Sequence, residues 1–237
     1  MNKTWVIFGA TSIIAQEFAH IAAQNGHSLI LIARDVQQLT VIAADLQLRY
    51  RIPCETILCD FAEDVQTLVH ALQNKHEDIS LFIAHSVMFN NENVTPQTIT
   101  TTIQVNIDST MQFVHGYLNK PQAKHQVVYI SSVAAVRGRA KNSLYAGSKA
   151  AIEVYLEGVQ QSAKKSQQIT IARLGFIDTK LTFGEPGIFY ASSPKQCAKA
   201  CWQAVKSGKH RFYHPWFWRW IMMIIKHLPF VLFKKVR

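Results

Sequence analysis

The chain opens Thr4-Trp5-Val6-Ile7-Phe8-Gly9-Ala10-Thr11-Ser12-Ile13-Ile14-Ala15, an apolar run of strand length that breaks at a glycine and resumes as a helix. A short, nearly continuous hydrophobic run ending in such a turn reads as a strand covered on both faces. Downstream, Ile14, Phe18 and Ile21 fall at i, i+4 and i+7, one stripe of a helix facing that sheet. Asn25-Gly26 then stops the helix. The alternation repeats, with apolar runs at 28–33, 55–59, 80–85, 126–131 and 169–174 separated by helical periodicities. Repeated strand–helix units imply an α/β fold. The architecture expected is a Rossmann-type doubly wound parallel sheet with helices on both faces, plus a C-terminal amphipathic helical tail.

With 237 residues the chain fits one such domain, expected at 1–209, followed by a basic aromatic tail at 210–237. A hydrophobic fraction of 49% excludes general disorder. The formal net charge of +10 asks for an anionic partner: a phosphorylated ligand, an acidic membrane surface or nucleic acid. Six Lys/Arg and no acidic residue lie between His210 and Arg237, so much of that charge sits on the tail. Cys54, Cys59, Cys197 and Cys201 form no C-x-x-C pair, and no metal site is expected. Strand composition from Thr4 onward leaves no room for a leader, so the expected compartment is the cytoplasm.

The turn after the first strand carries the first ligand signal. Gly9 permits a tight turn, and Thr11 or Ser12 can cap the helix that follows. A helix N-terminus offers unpaired N–H groups and the positive end of a dipole, which suits a pyrophosphate. The second strand ends Leu31-Ile32-Ala33-Arg34-Asp35. An arginine at that tip favours a 2′-phosphate, hence NADP(H) over NAD(H), while Asp35 next to it keeps NAD(H) open. Asp60, after the third strand, places a carboxylate where an adenine edge sits.

The second signal is Ser132 followed by Tyr145-Ala146-Gly147-Ser148-Lys149. Tyr145 and Lys149 stand at i and i+4 on a helix predicted over 142–165, so they share a face. A phenol titrates near pH 10 on its own, and a neighbouring ammonium is expected to lower that value toward a useful acid/base range. Ser132 lies at the carboxyl end of a central strand, where its hydroxyl can hold a substrate oxygen.

On these residues the chain resembles the short-chain dehydrogenase/reductase family over about residues 2–209. The matching positions are Gly9-Ala10-Thr11-Ser12, Ala33-Arg34, Asp60, Asn106, Ser132, Tyr145, Lys149 and the segment from Arg173 to Thr179. The resemblance implies an NADPH-dependent oxidoreductase interconverting a carbonyl and an alcohol. In it Tyr145 is the general acid/base, Ser132 holds the oxygen, Lys149 binds ribose and lowers the tyrosine pKa, and Asn106 supports a water next to Lys149. It also implies cofactor contacts from Gly9, Thr11, Ser12, Ile13, Ile14, Arg34, Asp60, Ala84, Tyr145, Lys149 and Thr179, and a homodimer or homotetramer. Ile13 and Ala15 replace two of the family's three glycines, Ile83-Ala84-His85-Ser86 replaces Asn-Asn-Ala-Gly, and Leu174 replaces a proline. The rival class is a catalytically lapsed cofactor-sensing or membrane scaffold protein on the same fold. The turn at 9–15 together with the tail most resembles the bacterial branch containing decaprenylphosphoryl-2-keto-ribose reductase.

The tail, from Tyr213 on, is aromatic and aliphatic with interspersed Lys/Arg. A helix over 216–228 sets Arg219 and Lys226 seven residues apart on one polar stripe. Internal charges and Pro229 make it a poor spanning segment. Two readings stay open: an in-plane helix on an anionic membrane, or a helix packed over the substrate loop or against a second copy. No nucleic-acid motif accompanies the basic residues. A membrane-facing tail would suit an apolar or lipid-linked carbonyl substrate, and would make the protein peripheral on the inner face of the membrane. Residues 175–194, with Phe176, Phe183, Phe189 and Tyr190, are the expected substrate lid.

Overall fold

The computed structural model describes residues 3–63, 65–178 and 190–235. Seven strands form one parallel sheet: β1 Thr4–Phe8, β2 Ser28–Ala33, β3 Cys54–Leu58, β4 Ile79–Ile83, β5 His125–Ser132, β6 Gln167–Leu174 and β7 Arg211–His214. The helices are α1 Ile13–Gln24, α2 Val36–Tyr50, α3 Gln66–Gln73, α4 Pro96–Thr102, α5 Ser109–Leu118, α6 Ser143–Ser162, α7 Pro194–Lys206, α8 Trp218–His227 and α9 Phe230–Phe233. A π-helical turn, Ile103–Asp108, joins α4 to α5, and a short 3₁₀ turn, Val133–Val136, follows β5.

The spatial order is β3-β2-β1-β4-β5-β6-β7, so the chain winds outward from β1 in one direction and from β4 in the other. Strand β1 shows why the sequence folds this way. Its five residues are all buried: Trp5 and Ile7 face the layer of α1, α2 and α7, and Val6 and Phe8 face the layer of α3, α5 and α6. In the first layer Phe18 stacks on Phe82 at 4.0 Å and meets Trp5 and Trp202 edge-on at 4.9 and 5.6 Å. Fully burying one such side chain stabilises the fold by roughly 1.5–3 kcal/mol. Helix α1 ends as expected: Asn25 is its C-cap, and Gly26 takes the left-handed conformation at φ 78°.

The strand absent from the sequence reading is β7. Arg211–His214 pairs in parallel with Ile171–Leu174 of β6, so the first residues of the basic segment belong to the sheet. The tail helix itself is α8, and it packs on the domain. Trp218 and Met222 are buried with Val133 of the 3₁₀ turn, and Phe176 meets the Trp218 indole edge-on at 5.6 Å. A Cβ built on Gly175 would lie 1.9 Å from the Trp218 indole nitrogen, so only glycine lets α8 approach the end of β6 this closely. Arg137 closes the far end of the helix. Its Nη1 donates to the carbonyls of Ile225 and Leu228, both at 2.6 Å, and its guanidinium lies 3.8 Å over the Phe233 ring.

Gly175→Ala is therefore expected to push α8 off β6 at a cost of about 1–3 kcal/mol, the usual range for overpacking. Thermal unfolding and tryptophan emission check this; an unchanged midpoint with unchanged emission would show that the contact carries no stability.

Candidate active site

Because all seven strands are parallel, their carboxyl ends meet on one edge of the sheet. The winding direction reverses between β1 and β4, and that switch point opens a crevice on the same edge. Gly9, at φ 71°, turns the chain out of β1, and a Cβ there would lie 2.7 Å from the His85 backbone nitrogen. The turn thus lies flat against the Ala84–His85 peptide, and Ala84 N donates to the Phe8 carbonyl at 3.0 Å. Ser12 stands at the N-cap of α1 in extended conformation, but its side chain makes no capping bond, contrary to the expected cap. Thr11 is half-buried, Ile13 is 47% exposed at the mouth of the turn, and Ile14 is buried on the sheet side. Ala15, in place of a glycine, is fully buried there.

Arg34 is exposed at the carboxyl end of β2. Asp35, its neighbour, is the N-cap of α2: its carboxylate accepts from Gln38 N at 3.0 Å and from Gln38 Nε2 at 2.7 Å. Asp60 is half-buried after β3 and accepts from Ala62 N at 3.0 Å. Thr179, Phe183 and Phe189 lie outside the described residues.

The second group gathers at the ends of β5 and α6. Ser132 is the last residue of β5, and its Oγ accepts from Ala134 N at 3.1 Å. Lys149 is buried and its Nζ donates to the Ile130 carbonyl at 2.9 Å, two residues before Ser132. The same ammonium lies 5.7 Å from the centre of the Tyr145 ring and 4.9 Å from that of Tyr129. Tyr145 and Lys149 therefore share the inner face of α6, as their spacing predicts. Asn106 is buried in the π-helical turn and clamps Val87 from both sides, accepting from its N–H at 2.8 Å and donating to its carbonyl at 2.9 Å. It also donates to Ser148 Oγ at 2.9 Å, which fixes it beside α6 next to Lys149. π-Helical turns of this kind cluster at functional sites.

The titration of this group departs from the sequence expectation. Burial pushes the Tyr145 phenol up to about 12, with a hydrogen bond to Ser132 working the other way. Burial likewise brings Lys149 down to about 7, opposed by the carboxylate of Glu153 one turn further along α6. The lowering of the phenol expected from the ammonium is therefore not found: burial raises it, and the group working against burial is Ser132, not Lys149.

Several residues here escape a reading of motifs. Glu153 is buried and accepts from Ser131 Oγ at 2.5 Å and from Arg173 Nε at 2.8 Å; Arg173 in turn donates to Tyr213 Oη on β7 at 2.6 Å. Its position at i+4 from Lys149 was a visible signal. His85, seen in the sequence only as a departure, stacks on Phe61 at 4.1 Å and shares hydrogen bonds with Ser109 and Thr110. Burial and then the Lys149 charge bring it to about 3, so it is neutral at physiological pH. Leu174, in place of a proline, pairs with Ser132 on one side and His214 on the other.

A family model described as short chain dehydrogenase matches residues 3–185. An uncharacterized oxidoreductase of Staphylococcus saprophyticus is 26% identical over 218 residues, covering 88% of this chain and 93% of its own. The bovine 3-oxoacyl-[acyl-carrier-protein] reductase is 25% identical over 195 residues, covering 77% and 78%. Among solved structures, a short-chain dehydrogenase from Sphingobium yanoikuyae in complex with NADPH superposes with a TM-score of 0.82 at 19% identity, over 99% of this chain and 96% of its own.

Lys149 gives the site a pH signature. Its folded pKa of about 7 lies below the ordinary 10.5, so between these values the folded state binds fewer protons than the unfolded chain. Its contribution to stability therefore rises with pH across that window, and the cost of burying the ammonium is fully present below it. In denaturant unfolding, the stability of Lys149→Met relative to the parent is expected to fall between about pH 7 and about pH 10. A difference independent of pH would show that Lys149 is not a buried titrating group.

Proposed function

This chain belongs to the short-chain dehydrogenase family, and from that premise we propose that it is an NADP(H)-dependent reductase interconverting a carbonyl and an alcohol, with Tyr145 as general acid/base. One observation carries the reading: Ser132, Tyr145 and Lys149 converge at the strand edge beside the β1/β4 crevice. When bound, NADPH supplies the hydride. Tyr145 Oη gives its proton to the carbonyl oxygen, and in the reverse direction takes it back. Ser132 holds the same oxygen. Its Oγ already accepts from Ala134 N–H, so its own proton is available to donate. A phenol held near 12 favours the protonated form, which suits reduction. Lys149, near neutral in its titration, can pass a proton toward Tyr145, with Asn106 supporting its neighbour Ser148.

The residues present fit a dinucleotide. The first turn of α1 faces the crevice with no side-chain cap from Ser12 over its N–H groups, leaving Gly9, Thr11, Ser12, Ile13 and Ile14 to hold a pyrophosphate. Ala84 flanks that turn, and Asp60 lies at the end of β3 on the adenine side. NADP(H) is favoured over NAD(H) because Arg34 is exposed for a 2′-phosphate, whereas the Asp35 carboxylate is engaged in capping α2. An apolar or lipid-linked carbonyl is the substrate class that the aromatic and aliphatic composition of the tail suits. The narrower likeness to the decaprenylphosphoryl-2-keto-ribose reductase branch gains no support from the relatives, and the proposal stops at the family. A homodimer or homotetramer would cover Ile99, Ile103 and Val154, which are exposed along α4, the π-helical turn and α6. A catalytically lapsed scaffold is disfavoured because Ser132, Tyr145 and Lys149 stand together.

Steady-state assays with NADPH and a panel of ketones test the chemistry. Tyr145→Phe is expected to lower kcat by about 10²–10⁴-fold, the usual contribution of a positioned acid. Turnover equal to the parent would remove Tyr145 from the mechanism. For the cofactor, Arg34→Asp is expected to raise the KM for NADPH by roughly tenfold or more, equivalent to about 1.4 kcal/mol, while leaving NADH little changed. An equal effect on both cofactors would contradict the phosphate contact.

A further inference from the structure

Helix α8 is apolar on two opposite faces, and only one of them is used by the fold. Trp218, Ile221, Met222 and Ile225, at i, i+3, i+4 and i+7, pack on the 3₁₀ turn after β5 and on Phe176. A second set with the same spacing, Trp220, Met223, Ile224 and His227, points away from the domain. Trp220 is 52% exposed, Met223 49% and Ile224 63%. Trp216 before the helix and Phe230, Val231 and Leu232 of α9 leave further apolar side chains uncovered nearby in the chain, at 51–73% exposure. Large exposed apolar side chains gathered on one short segment mark a binding face.

Its charges select the occupant. Arg219 and Lys226 run along one edge of the outward face, and Lys234 and Lys235 follow α9; all four are exposed. No acidic residue occurs from His210 to Arg237. A two-fold contact with a second copy would set this patch against itself and bring like charges together with nothing to offset them. A surface of anionic lipid headgroups over hydrocarbon complements both properties: indoles and aliphatic chains enter the interface while lysines and arginines stay at headgroup level. No helix among the described residues is long and apolar enough to cross a membrane, so the contact lies in the plane of the interface.

We propose that the outward face of α8 and α9 docks the protein on an anionic lipid bilayer. The inward face of the same helix is fixed to Gly175, Phe176 and the Val133–Val136 turn, and Arg137 pins its far end. The docked domain therefore presents the sheet edge bearing Ser132 and Tyr145 close to the interface, rather than hanging from a loose tether. This placement stands on the tail's own geometry and does not require the catalytic reading to hold.

The test pellets the full chain with phosphatidylcholine vesicles and with vesicles in which part of that lipid is replaced by phosphatidylglycerol. Co-sedimentation is expected with the anionic vesicles and should weaken as salt rises. Trp220→Asp combined with Ile224→Asp, and separately Lys226→Glu combined with Lys234→Glu, should each lower the apparent affinity roughly tenfold. Turnover of a water-soluble ketone and the unfolding midpoint should stay as in the parent, because none of these side chains packs on the domain. Three results overturn the proposal: no vesicle binding by the parent, undiminished binding by both double variants, or an oligomer in the parent that Trp220→Asp/Ile224→Asp dissociates with no vesicle binding. If vesicle binding holds while ketone turnover is absent, the docking face stands and the catalytic reading falls.

Discussion

The interior of this protein contains an ammonium group that must be satisfied without water. Lys149 is almost fully buried, and its Nζ is held by the Ile130 carbonyl at 2.9 Å. Burying a cation costs several kcal/mol unless charge and hydrogen bonds compensate. Here Glu153 one turn on offsets part of that cost, and its carboxylate is itself fixed by Ser131 and Arg173. Ile130, Ser131 and Ser132 are consecutive on β5: the first binds Lys149, the second binds Glu153, and the third accepts from Ala134 N–H. The register of α6 against β5 follows from the first two, and the approach of Tyr145 to Ser132 follows from that register.

Much of this is legible in the sequence, because it depends on local periodicity. Six parallel strands follow from short, nearly continuous apolar runs, the turn at Gly9 from the glycine that ends the first run, and the shared face of Tyr145 and Lys149 from a spacing of four. What escapes depends on the rest of the fold. β7 is four residues long, and its composition continues into that of the tail, so no boundary marks it. Arg173 and Glu153 are twenty residues apart, and their contact exists only once β6 lies over α6. Asp35 reads from the sequence only as a residue that keeps NAD(H) open, and its engagement as the cap of α2 appears once Gln38 is placed beside it. The direction of the Tyr145 shift escapes for a similar reason: a neighbouring charge is visible as a spacing, whereas desolvation sums over every element packed around the ring.

The tail illustrates a different limit. A helix hydrophobic all round is usually buried, and one with a single apolar stripe usually lies on a core. Residues 218–227 satisfy neither description, because two interleaved stripes share ten residues. Hydropathy sees their sum. The inward stripe is the one bearing Trp218, whose indole the missing Cβ of Gly175 admits. The basic residues then fall along the edge of the stripe left outside.

The same contact ties the surface to the chemistry. Val133, which packs against Trp218 and Met222, is the residue immediately after Ser132. The 3₁₀ turn it begins also supplies Ala134 N–H, the donor that fixes one lone pair of the Ser132 hydroxyl. Whatever holds α8 in place therefore also holds the turn that orients Ser132, and Arg137 at the end of that turn grips the far end of α8. Two short segments, one from the middle of the chain and one from its end, brace each other. A helix that was merely a flexible anchor would need neither the arginine cap nor the glycine. Their presence makes α8 an integral part of the domain, with its outer surface still uncovered.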